Sequence, residues 1–155
     1  MSTTSIASPT TTTSPSISLT IVSWIARIIA AAILAMAALP KLTGDPVSVA
    51  LFETLGAGSA GMYATGVLEA IAIVLLLVPK SAVFGGVLGM GLMGGAIVSH
   101  VAILGIDLGP VAADYPDLEV PGVEMFAMAI VVLLASTITT YLHRKTLIGL
   151  LTKQG

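Results

Sequence analysis

MYATGVLEAIAIVLLLVPKSAVFGGVLGMGLMGGAIVSHVAIL, residues 62 to 104, holds two apolar runs parted only by Pro79-Lys80-Ser81. The runs, Met62 to Val78 and Ala82 to Leu104, are 17 and 23 residues long. At about 1.5 Å of rise per residue, helices of that length cross a hydrocarbon core of roughly 30 Å. A three-residue connection leaves the second helix no course but to return antiparallel beside the first.

The same pattern recurs on either side. Leu19 to Leu39 is a first apolar stretch with Pro40 as its expected end, and Val123 to Leu142 is a fourth. Hydrophobic residues make up 56% of the 155, charged residues 9%, and the mean hydropathy is +1.06, values far from soluble usage. The expected fold is an all-α membrane protein, a four-transmembrane-helix antiparallel bundle spanning about 19–39, 62–78, 82–104 and 123–142. Four spans place both termini on one side. Lys80, Arg144, Lys145 and Lys153 flank the spans on that side, against Lys41 alone on the other, which makes both termini cytoplasmic in a multi-pass plasma (inner) membrane protein. Residues 1–18, 12 of them Ser or Thr and two of them Pro, read as a disordered tail. Residues 143–155 read as a short cytoplasmic tail whose basic and leucine positions suit an interfacial helix. Ala35 and Ala37 raise a signal-peptide reading of the first run. Its length, Arg27 within it and the lack of a basic segment before it favour a retained helix.

Composition also removes several functions. Without cysteine there is no disulfide, thiolate nucleophile, Cys-ligated zinc or iron–sulfur cluster, so any redox role needs a borrowed cofactor or a diffusible quinone. A net charge of -2 with six scattered Lys and Arg argues against nucleic acid. His100 and His143 lie about a membrane thickness apart in the expected topology and cannot share one haem. The glycines of GGVLGMGLMGG sit in mid-span after no strand, so they cradle no phosphate.

Charged groups at membrane depth cost roughly 2.5–3.5 kcal/mol on insertion scales and call for a partner or a wet cavity. Arg27 is expected about 12 Å in from one side and Glu69 about 10 Å in from the other, within reach of one another. His100 lies on the outer side of Glu69, and Lys41 caps the same end of the first helix, sharing a face with Arg27. These readings predict a polar cluster of Arg27, Lys41, Glu69 and His100 lining an inward cavity, with an Arg27–Glu69 ion pair. The plainer reading is an ion pair that fixes helix register and a snorkelling Lys41. On the third span Gly85, Gly89 and Ala96 share the His100 face, while Gly91, Gly95 and Ser99 form a second small strip; one strip packs a helix closely and the other leaves room for a ligand. Glu124 suits a helix first turn, and Ser136, Thr137, Thr139 and Thr140 suit backbone or interhelical bonds.

These residues in this order, an Arg in the first helix with Lys41-Leu42 at its end, Phe52 and Gly56, Gly66-Val-Leu-Glu69 running into LLLVPK, then Gly95-Ala96, His100 and Leu104-Gly105, resemble the DoxX-like membrane proteins. The match covers about Arg27 to Leu142. The resemblance implies a four-helix inner-membrane protein among relatives that include subunits named for thiosulfate:quinone oxidoreduction, components of membrane oxidoreductase complexes and assembly helpers. It transfers a fold better than an activity.

Two functions compete. One is an accessory subunit, not itself a catalyst, of a membrane oxidoreductase system that binds a quinone or small lipophilic molecule, with Glu69 and His100 as relay groups. The other is a non-enzymatic assembly or scaffold protein bound to a membrane protein partner or to further copies of itself. Small-solute transport is a third, and it would need several copies to form a pathway.

Overall fold

The computed structural model describes residues 17–145, all of its regular structure helical. Of the tail expected over 1–18, residues 1–16 lie outside the described residues, while Ile17 and Ser18 already belong to the first helix; of the tail expected over 143–155, residues 146–155 lie outside them. Helix α1 spans Ile17–Thr43, α2 Pro46–Thr54, α3 Gly58–Leu77 and α4 Ala82–Ser99, which continues as a π-helical turn, His100–Leu104. Helices α5, Gly109–Asp114, and α6, Gly122–Leu142, complete the chain. Four of these, α1, α3, α4 with its π turn, and α6, are long and apolar enough to cross a membrane. The chain is a multi-pass membrane protein.

The end of the first helix departs from expectation. Pro40 lies inside α1, which runs on to Thr43. A proline forfeits one rung of the ladder, but the stop signal sits further on. Gly44 takes a left-handed φ of 72°, the Asp45 amide donates to the Pro40 carbonyl at 3.0 Å, and the Thr43 hydroxyl donates to the Leu39 carbonyl at 3.0 Å. The loops are also more ordered than expected. Asp45 starts α2 as its N-cap, its Oδ2 accepting from the Val47 and Ser48 amides at 3.1 and 3.2 Å with Pro46 in the first turn.

The long helices form a closed ring in which α1 packs on α3, α3 on α4, α4 on α6 and α6 on α1, each pair antiparallel. Lipid tails are as apolar as leucine, so close van der Waals contact rather than exclusion of water holds such a ring together. Small residues provide it. A Cβ on Gly85 would sit 2.5 Å from the Leu76 amide nitrogen of α3, and one on Gly89 would sit 2.6 Å from Ser136 Oγ of α6. The shared core is Ala26, Ala30 and Leu34 of α1, Ala72 and Leu76 of α3, Met93 of α4 and Val132 of α6. Large side chains such as Ile28, Val74, Val98 and Leu134 point outward, as lipid-facing residues do.

Helices α2 and α5 close one end. Ala50, Leu51, Leu104, Leu108 and Val111 form a second apolar core there. Leu108 is fully buried although its φ of 57° is left-handed. That conformation costs a leucine about 1–2 kcal/mol, which burial in this core offsets. The opposite end carries the start of α1, the end of α6 and the Lys80 connection.

Candidate functional site

Between the ring and its cap lies a cavity of about 900 Å³. Its walls are mostly apolar, from Leu34, Phe52, Met93, Met128 and Val132 among others. Three of the four residues singled out from the sequence, Lys41, Glu69 and His100, line it, and Arg27 does not. Exposed lining residues, Met36 on α1 and Val123 and Glu124 at the head of α6, mark the mouth on the α1–α6 seam.

The expected Arg27–Glu69 ion pair is absent. Glu69, 2% exposed, pairs instead with Lys41, whose ammonium donates to Oε1 at 3.0 Å and Oε2 at 3.1 Å. The extension of α1 past Pro40 is the physical reason, because it keeps Lys41 on the helix. Side chains on a helix lean toward its N-terminus, so the Lys41 amine folds back into the bundle, where it also donates to the Ala37 carbonyl at 2.9 Å. Gly66 lets the helices close up at this level: a Cβ there would stand 3.1 Å from the Lys41 Cβ.

Arg27 serves the other end. The last carbonyls of any helix lack intrahelical donors, and α3 satisfies its own one by one. The Val78 amide donates to the Val74 carbonyl at 3.1 Å, the Ser81 hydroxyl to the Leu75 carbonyl at 3.1 Å, and Arg27 Nε to the Leu76 carbonyl. The guanidinium also lies over the Trp24 ring, 4.1 Å from its centroid. A cation from α1 thus caps the C-terminus of α3, where the helix dipole favours positive charge. Arg27 and Lys41 do both face α3, but they meet opposite halves of it.

His100 is 5% exposed and opens the π turn that ends α4. Its Nδ1–H donates to the Ala96 carbonyl at 2.9 Å, and its ring tilts against Phe126 with centroids 5.8 Å apart. Nε2 has no hydrogen-bond partner among the described residues.

Of the two small-residue strips, Gly85 and Gly89 pack, as does Gly86 against Thr140 and Ser136. A Cβ on Gly91, Gly94 or Gly95 would meet nothing within 4 Å. That strip borders the outside rather than the cavity. Thr137, Thr139 and Thr140 return their hydroxyls to carbonyls four residues back, as intrahelical ties. Glu124 lies in the first turn of α6, as expected, and also at the cavity mouth. Asp45, Ser48 and Glu119 join the lining too. Sequence reading passed over these three because Asp45 and Ser48 belong to the short helix α2 and its cap, and Glu119 to a loop, none of which a long periodicity announces, although Asp45-Pro46 is a legible helix start.

Comparison with protein-family models, with curated proteins and with solved structures gives no match. The chemistry of the site therefore rests on its own residues. A mostly apolar chamber with one buried ion pair and one imidazole suits a molecule that is greasy over most of its surface and polar at one end. No group of three or more metal-ligating side chains occurs among the described residues.

Proposed function

We propose that this chain is an accessory membrane subunit that binds a small lipophilic molecule with a polar head, a quinone or a compound of that kind, on behalf of a membrane oxidoreductase system. The observation that carries the reading is the cavity of about 900 Å³ with Lys41, Glu69 and His100 in an otherwise apolar wall. Sites for compact organic ligands usually hold roughly 300–1,000 Å³ and place few polar groups among many apolar ones. The mouth lies on the α1–α6 seam, and a second, wholly apolar groove of about 300 Å³ follows the same seam past Ile29 and Val131. A tail leaving the cavity has that groove to lie in. With no cysteine in the chain, electrons come from a partner. The resemblance to DoxX-like proteins points the same way. Lys80, Arg144 and Lys145 at the end opposite the cap orient that end to the cytoplasm of a plasma (inner) membrane and the cap outward.

The test is native mass spectrometry of the protein in lipid nanodiscs, beside the double variant Lys41→Met/Glu69→Leu. Replacing a buried ion pair by apolar residues of similar volume is often neutral for stability, so the double variant stays folded and separates binding from structure. The expected result is a stoichiometric lipophile on the wild type that is lost from the variant. A ligand-free wild type that also fails to take up an added decyl-chain benzoquinone or its hydroquinone would overturn the reading.

A scaffold role has one observation in its favour, the open Gly91–Gly95 strip on the outer face of α4, which admits a close-packed partner helix. Gly91→Leu abolishing co-purification of a membrane partner while leaving the ligand in place would favour that role.

A further inference from the structure

The polar groups of the cavity differ sharply in what they have left to offer. An ammonium has three N–H donors, and those of Lys41 are directed at the Ala37 carbonyl and the two Glu69 oxygens. The cation that would hold an oxidised carbonyl head is therefore spent. The His100 Nδ1–H is spent as well, on the Ala96 carbonyl. In the neutral ring this fixes the tautomer and leaves Nε2, a buried atom of a residue that lines the cavity, with a lone pair that has no partner among the described residues. The remaining charged groups of the lining, Asp45, Glu119 and Glu124, are carboxylates, which only accept. Among the lining side chains only the Ser48 hydroxyl still donates.

Building on the proposed lipophile site, we infer that the cavity selects the reduced, hydroxyl-bearing form of its ligand, a hydroquinone or similar phenol, over the oxidised carbonyl form, with His100 Nε2 accepting the hydroxyl proton in a hydrogen bond. A quinone oxygen only accepts and finds one side-chain donor, the Ser48 hydroxyl, among lone pairs. A hydroquinone brings two O–H donors to a wall of acceptors. Anionic amphiphiles are excluded by the same wall, whose carboxylates outnumber its one cation. The subunit then holds or delivers the reduced form, and the bound couple is easier to reduce than the free one.

The test titrates a decyl-chain benzoquinone and, under strict exclusion of oxygen, its hydroquinone into nanodiscs carrying the full chain, with empty nanodiscs as background. The hydroquinone is expected to bind at least about tenfold tighter, which corresponds to a rise of about 30 mV in the midpoint potential of the bound two-electron couple. His100→Phe, which keeps the ring against Phe126, is expected to erase the preference, and His100→Gln, which returns an acceptor, to restore much of it. Equal affinity for the two forms, or tighter binding of the quinone, overturns this inference and leaves the lipophile site standing. Failure of both forms to bind overturns both.

Discussion

The two ends of the bundle handle buried charge in opposite ways. At the open-loop end, where small residues bring the helices together, Arg27 gives one nitrogen to the Leu76 carbonyl and its face to Trp24, and its buried Nη2 has no hydrogen-bond partner among the described residues. At the capped end Lys41 and Glu69 neutralise each other beside a large cavity, and His100 keeps a nitrogen in reserve. Burial alone does not distinguish them, since Arg27 and Glu69 are 1% and 2% exposed. Nor does an unpartnered nitrogen, since each end has one; the space beside it does, because Lys41, Glu69 and His100 line the cavity and Arg27 does not. A buried charge marks a functional site only when the surrounding packing leaves it space.

Four substitutions press on this contrast, in descending order of expected effect. Glu69→Ala strips Lys41 of its partner and costs about 3–5 kcal/mol, the usual range for half of a buried pair; thermal unfolding in nanodiscs would register it as a large drop in midpoint. Gly85→Val drives a side chain into the α3 backbone and costs at least the roughly 1–3 kcal/mol of overpacking, read from the same curves, with no dependence on added ligand. Arg27→Met uncaps α3 and costs about 1–3 kcal/mol, yet leaves ligand affinity unchanged in titration; a lost ligand there would show that the two ends are not separate. Gly91→Ala, on the open strip, lowers backbone entropy in the unfolded chain and meets nothing, so stability holds or rises by up to about 1 kcal/mol. A clear loss of stability at Gly91 would place a partner on that face.

The spans were legible because a bilayer demands about 20 apolar residues per crossing and tolerates few charges, a signal written residue by residue. The site was legible only in part. Lys41, Glu69 and His100 stood out as polar groups at depth, but their pairing depended on where α1 ends. Pro40 reads as a stop, and Gly44 with Asp45 is the real one. That shift of a single turn hands Glu69 to Lys41 and leaves Arg27 to α3. The cap was illegible for a different reason. Leu108 holds a left-handed conformation that no leucine prefers locally, so tertiary contacts, not sequence pattern, set its path. Glu119 and Glu124 reach the mouth by that path.

Trp24 is the sole tryptophan of the chain, and its ring carries the Arg27 guanidinium on one face. Intrinsic fluorescence of the unlabelled protein is therefore a one-site optical signal from the end remote from the cavity. Its emission tracks whether α3 remains capped during unfolding, and any change in it when a non-absorbing ligand binds would be a direct spectroscopic measure of communication along the bundle axis.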